Sequence, residues 1–142
     1  MKFRFIESDT YEIIAYGKNK NETIKLIETI CLNDDITIIG YNKNQIKDLN
    51  PSLIECFYTE GDKIYALYNN IKYLVKKRLY ELSNLLNNNF IYINQGCLVN
   101  INYIDHFEVT LGASLIIVLK SGYKDYVSRR MVKNVKERIG IK

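Results

Sequence analysis

From residue 52 onward, short apolar-rich runs alternate with small polar breaks, a rhythm of strands and tight turns. "SLIECFYTEGDKIYALYNN" predicts two strands hinged on "TEGD", where Gly61 can take a positive φ, and "IKYLVKK" adds a third after the Asn69-Asn70 turn. Leu79, Leu82 and Leu86 fall at i, i+3 and i+7, with Leu85 widening the stripe, so "RLYELSNLLNN" predicts a short helix. "FIYIN" and "LVN" then flank the polar break "NQGC". Further strands follow in "DHFEVT", "LIIVLK" and "KDYV", separated by turns at "LGAS" and "SGY". The end, "SRRMVKNVKERIG", reads as a helix with Ser128 as N-cap and Gly140 as its stop. Val132, Val135 and Ile139 make its apolar stripe, and Arg129, Lys133 and Lys136 a cationic one.

Ahead of Pro51, the chain's one proline, the pattern differs. "KFRFIE" and "YEIIAYG" predict two strands with "SDT" as the hairpin turn between them. "NKNETIKLIETICLN" predicts a helix with Asn21 as N-cap and Ile24, Ile27, Ile30 and Cys31 on one face. "ITIIGY" has strand length, whereas "NQIKDLN" is ambiguous between strand and helix. The expected organisation is a small β-β-α-β extension over residues 1–50, packed on a mainly β domain with short helices over residues 51–142. Of the twelve tyrosines, Tyr58, Tyr65, Tyr68 and Tyr73 fall in predicted strands, where cross-strand packing is the expected role ahead of base stacking.

Composition narrows the function classes. A chain of 142 residues, 47% hydrophobic and 25% charged, supports one ordinary core and excludes a large multidomain enzyme. Cys31, Cys56 and Cys97 are widely spaced with no CxxC pair, and His106 is the one histidine, so no metal site is expected. The thiols are expected reduced and mostly buried, and His106 packed or on a strand surface. No Gly-rich phosphate loop, cofactor motif or catalytic constellation occurs, so neither an enzyme nor a small-molecule substrate is expected. Charged residues open the chain and no run approaches the ~18 apolar residues of a membrane span, which leads to the expectation of a soluble, cytoplasmic protein. Charge is uneven: residues 1–50 hold seven Lys+Arg against eight Asp+Glu, while residues 120–142 hold eight against two. A basic end of this kind suits a polyanion, although many solvated helices are simply lysine-rich.

Several fixed spacings coincide in the second part. Phe90 is followed after three residues by Asn94-Gln95-Gly96-Cys97-Leu98-Val99-Asn100, after three more by Ile104, and then, beyond the Ser121-Gly122 turn, by Val127-Ser128-Arg129-Arg130. Residues 53–139 in this way resemble the LytTR-type DNA-binding domain of bacterial transcription regulators. The pattern of that family runs F, three residues, H-R-S-Y-L-V-N, three residues, I, and closes in V-S-R-R and a short helix. The resemblance implies an elongated fold of antiparallel sheets that binds duplex DNA through loops in the major groove, and bends it. It implies three contact places: the loop Glu60-Gly61-Asp62-Lys63, with Asp62 among the base contacts; Gln95; and Arg130.

The side chains at these places suit those roles. Gln can pair with adenine N6 and N7, and Arg with guanine O6 and N7. Phosphates need only charge or a donor, which makes Lys63, Asn94, Arg129, Lys133 and Lys136 the backbone candidates. Arg129 and Arg130 also fall at a predicted helix N-terminus, where free N–H groups meet phosphates. Asn94, Gln95 and Gly96 stand where the family shows His, Arg or Asn, and Ser, and Cys97 replaces an aromatic, so a different operator preference is expected. Asn100 keeps the family's residue and reads as a buried structural Asn.

Two readings of "NQGC" follow. Alone, it is a plain turn with Gly96 supplying a positive φ. With the resemblance, it is a loop pushed out of the sheet, with Asn94 and Gln95 projecting toward DNA while "LVN" re-enters the core. The leading function is a sequence-specific transcription regulator acting as a homodimer or as paired copies on repeated half-sites, with residues 1–50 as a dimer surface. The alternative is a protein-interaction or signalling module that keeps the fold without tight DNA binding. The ~50 front residues are too few for the phosphoacceptor receiver domain common in such regulators. Some family members of this stand-alone size resemble regulators encoded with small membrane proteins that restrain them, so the resemblance also implies a membrane protein as a candidate partner.

Overall fold

The computed structural model describes residues 4, 6, 13–34, 36–86 and 89–141. Its elements are α1 (Glu22–Asp34), β1 (Ile38–Asn42), β2 (Gln45–Leu49), β3 (Ile54–Glu60), β4 (Lys63–Tyr68), β5 (Ile71–Val75), α2 (Leu79–Leu85), β6 (Phe90–Asn94), β7 (Cys97–Asn100), β8 (Ile104–Val109), β9 (Leu115–Leu119), β10 (Lys124–Tyr126) and α3 (Val132–Ile139). Seven strands form one sheet in the order β2-β1-β5-β4-β3-β7-β6, and β10-β9-β8 form a second. Every pairing is antiparallel, so short turns suffice as connections. The fold is mainly antiparallel β with three short helices, as the sequence pattern leads one to expect.

Strict alternation builds two cores, one on each side of the large sheet. Phe57, Tyr73, Phe90 and Leu98 point to the side on which Leu79, Leu82 and Leu86 of the α2 region are buried. Cys56, Ile91, Ile93, Cys97 and Val99 point the other way, onto Ile117 and Leu119 of β9 and Val135 of α3. Because β7 is covered on both faces, its four residues are all buried, which explains a run as apolar as "CLV". Leu85 is an exception to the expected stripe: it faces solvent, since Leu79 and Leu82 already fill the face turned to the sheet.

Local turn chemistry follows the sequence closely. Asn69 and Asn70 both take positive φ (50° and 61°), the conformation a two-residue hairpin turn requires, and Gly61 turns β3 into β4 at φ 66°. The Tyr58 ring lies 5.9 Å from that of Tyr65, tilted, and Tyr68 meets Tyr73 edge-on at 6.0 Å, so these strand tyrosines pack across strands. Helix α1 is capped as expected, with Ile24 N–H donating to Asn21 Oδ1 at 2.9 Å.

The front of the chain departs from β-β-α-β. "ITIIGY" supplies β1, and the ambiguous "NQIKDLN" is its hairpin partner β2, so the proline lies between two strands of one continuous sheet. Residues 13–17 form no strand, and Ile13, Ile14 and Tyr16 are exposed. Both sides of β1 are taken, by β2 and β5, so residues 13–17 do not pair with it. Of the first expected strand, residues 2–7, only Arg4 and Ile6 are described, neither in a strand; the "SDT" turn lies outside the described residues.

Candidate nucleic-acid interface

The break in "FIYINQGCLVN" is a tight turn. Strand β6 ends at Asn94, Gln95 and Gly96 form the turn, and Cys97 begins β7 opposite Asn94, with a register irregularity between Tyr92 and Asn94. Asn94 does not project outward as expected; it is 4% exposed. Its Oδ1 accepts from Gly96 N–H at 2.8 Å, and its Nδ2 donates to the Tyr126 carbonyl at 2.9 Å. A side chain with both polar ends committed inside the fold is unavailable to phosphate, which removes Asn94 from the backbone contacts. The plain-turn reading also needs correction, because Gly96 is not among the glycines with positive φ. The side chain of Asn94 shapes the turn, in the manner of an Asx-turn. Gly96 in turn accepts, through its carbonyl, from Thr59 N–H at 2.8 Å. Gln95 stands exposed between these two fixed neighbours.

The closing segment is tied to the same strand end. Val127 is buried and its N–H donates to the Leu115 carbonyl at 2.8 Å; Ser128 N–H donates to the Ile93 carbonyl at 2.8 Å. Ser128 is not the side-chain N-cap expected of it. Its carbonyl accepts from Met131 N–H and Val132 N–H, so residues 128–131 make a turn and α3 starts only at Val132. Arg129 and Arg130 therefore sit exposed on that turn, ahead of the helix. Val135 is buried and Val132 and Ile139 are half-buried against the second core, while Lys133 and Lys136 face solvent. Gly140 ends the helix at φ 83°.

The β3–β4 turn lies at this end too, because Tyr58 pairs with Cys97 and Glu60 with Lys63. Asp62 and Lys63 are exposed. Glu60 is ion-paired with Lys72, whose ammonium also lies 4.1 Å from the centre of the Tyr65 ring. That carboxylate holds the Lys72 pKa above its ordinary value. The fold thus gathers Asp62, Lys63, Gln95, Arg129 and Arg130 at one end of the large sheet, with Lys133 and Lys136 continuing along α3.

Other polar residues have internal roles. Asn100 is buried as expected, donating to the Ile54 carbonyl and accepting from Asn102 N–H, each at 3.0 Å. Glu55 went unnoticed in the sequence: at the β3 irregularity it is buried and accepts from Ser121 N–H at 3.1 Å, joining the two sheets. Cys56 and Cys97 are buried free thiols, and hydrogen bonding to Cys56 together with burial pushes the Cys97 pKa well up. His106 is on the surface of β8 between Asp105 and Glu108, which raise its pKa.

Comparison with known proteins places this geometry in context. The family model described as the LytTr DNA-binding domain matches residues 44–140. A protein of Staphylococcus aureus strain MRSA252, named as an uncharacterized HTH-type transcriptional regulator, is 30% identical over 136 residues, covering 95% of this chain and 92% of its own. A protein of the same description from strain NCTC 8325 matches with the same identity and coverage. Among solved structures, the LytTr DNA-binding domain of a Bacillus cereus protein, named as a methyl-accepting/DNA response regulator, superposes with a TM-score of 0.68 at 17% identity. It covers 74% of this chain and 97% of that one.

Proposed function

The chain belongs to the LytTr DNA-binding domain family, and on that premise we propose that it regulates transcription by reading duplex DNA with side chains carried on turns of its sheets. Gln95 and Arg130 read base edges, with Asp62 beside them; Lys63, Arg129, Lys133 and Lys136 hold phosphates. The observation that carries this reading is the bond from Ser128 N–H to the Ile93 carbonyl, which fastens the Arg129-Arg130 turn to the strand that presents Gln95. Amide and guanidinium groups suit adenine and guanine edges, and an acidic Asp62 suits only a base donor such as cytosine N4, since phosphate would repel it.

Helix geometry favours turns as the reading elements. Among the described residues, α2 and α3 are separated by the five strands β6 to β10, so they form no helix-turn-helix. The eight residues of α3 direct Val132, Val135 and Ile139 inward, leaving Lys133 and Lys136 for the phosphate backbone. Turns that enter neighbouring major grooves would bend the duplex, so flexible steps between contacts contribute to preference.

The test starts from duplexes selected by the protein out of a random pool. Binding should weaken with salt at a log–log slope of about −4 to −5 for ~5 phosphate contacts. Arg130→Ala should cost about 1–3 kcal/mol and relax preference at one base position, whereas Lys136→Ala should weaken all sequences alike. Equal losses from both on every duplex would overturn the assigned roles. No duplex binding at physiological salt, with co-purification of a protein partner, would favour an interaction module.

Residues 1–50 are proposed as the dimerisation element of a protein that binds paired half-sites. Two observations support this. Ile13, Ile14, Tyr16 and Leu26 expose apolar surface ahead of the sheet. The curated relatives match 95% of the chain, whereas the solved LytTr domain covers 74%. Removing residues 1–50 would strip β1 and β2 from the sheet, so substitution is the better test: Leu26→Glu should lower the mass in sedimentation at an unchanged far-UV spectrum. A membrane protein that restrains the regulator is proposed as a further partner, on the family resemblance alone.

A further inference from the structure

We infer that Asn94 is a positioning residue for DNA reading: its buried carboxamide locks the Gln95 turn and the Arg130 segment into one fixed relation, on which sequence discrimination depends. This rests on the reading roles proposed for Gln95 and Arg130.

The planar amide of Asn94 works in two directions. Oδ1 receives the N–H of Gly96, which fixes the turn carrying Gln95. Nδ2 gives a hydrogen bond to the carbonyl of Tyr126, four residues before Arg130. The neighbouring bond from Ser128 N–H to the Ile93 carbonyl makes the second attachment, so the two segments meet at two adjacent points and cannot pivot about one. The Asn94 side chain is 4% exposed, so its amide depends on these two protein partners.

Residue type matters at this position. Aspartate would keep an acceptor for Gly96 but would set a carboxylate oxygen against the Tyr126 carbonyl, where both groups need a donor. Alanine would remove both bonds and leave the Ser128–Ile93 attachment as a pivot. Rigidity matters for base edges more than for phosphates, because a bidentate hydrogen bond weakens steeply with angle, whereas attraction to a phosphate has little directional demand. Loosening should therefore fall on preference and spare general affinity.

The experiment uses the full chain with Asn94→Ala and Asn94→Asp, titrated by fluorescence anisotropy against a duplex selected by the parent protein and a scrambled one, with melting followed by circular dichroism. Discrimination between the duplexes should fall about tenfold in both variants, while affinity for the scrambled duplex stays within about twofold. In the parent, the losses from Gln95→Ala and Arg130→Ala should be coupled, and in the Asn94→Ala background they should add independently. A residue that merely stabilised the fold would lower the melting temperature and leave the ratio and the coupling intact; that result overturns the inference. Should neither variant fold, amide exchange in the parent decides. Gly96 N–H must exchange slowly both free and on DNA, and rapid exchange in the free protein overturns the inference. A parent protein that prefers no duplex overturns the reading roles themselves, and this inference with them.

Discussion

Two turns at the same end of the large sheet are built in opposite ways. The β3–β4 turn takes its shape from one backbone angle: Gly61 sits at φ 66°, and a Cβ there would meet nothing within 4 Å. The β6–β7 turn needs no such angle. Gly96 avoids positive φ, and its surroundings are packed, with Asn94 Oδ1 and the Cβ and Oγ1 of Thr59 each 3.6 Å from where a Cβ would stand. The first turn is local chemistry; the second is held by the rest of the fold. A reading group on the second turn inherits the rigidity of both sheets, while Asp62 and Lys63 on the first depend on a few neighbouring residues.

Stability measurements can break or sharpen this contrast. The largest effect is expected from Asn94→Ala, which leaves the Gly96 N–H and the Tyr126 carbonyl without their partner and should destabilise the fold by about 1–3 kcal/mol in urea denaturation. A change near zero would mean that the turn holds itself, as the β3–β4 turn does. Next comes Gly61→Ala, for which nothing clashes and only the left-handed backbone resists. Its expected cost is about 1 kcal/mol, recovered in part by Gly61→Asn. A loss well beyond that would show a contact around Gly61 and remove the difference between the turns.

The same contrast explains what the sequence disclosed. "TEGD" and Asn69-Asn70 were legible because a residue that tolerates positive φ announces its turn, and the apolar runs between such turns announced strands. Leu79, Leu82 and Leu86 announced α2 by spacing alone. Asn94 was misread because one of its two partners, Tyr126, lies 32 residues away and is brought beside it by sheet packing and not by local pattern. The spacing Asn94-x-Gly96 was nonetheless a usable sign of an Asx-turn. Ser128 failed as a cap for a related reason, since its N–H is drawn to the Ile93 carbonyl and a turn intervenes before α3. Residues 13–17 carried strand-like composition, but composition does not name a partner, and both sides of β1 are taken by β2 and β5.

The smallest effect is expected at Gly96, and it discriminates most finely. Since Gly96 has no positive φ to preserve and the nearest atoms to a new Cβ are at ordinary contact distance, Gly96→Ala should change stability by no more than about 0.5 kcal/mol. Loss of backbone freedom in the unfolded chain pushes the same way as folding, so a slight gain is consistent. Gly96→Ser goes further: it adds a hydroxyl beside Gln95, where the family resemblance has a serine. A hydroxyl there can donate to a phosphate but cannot identify a base, so binding to selected and scrambled duplexes should tighten by the same factor. Anisotropy titrations of both duplexes decide this. A destabilisation above about 1 kcal/mol in Gly96→Ala would mean that glycine itself shapes this turn, and the two turns would then be variants of one design.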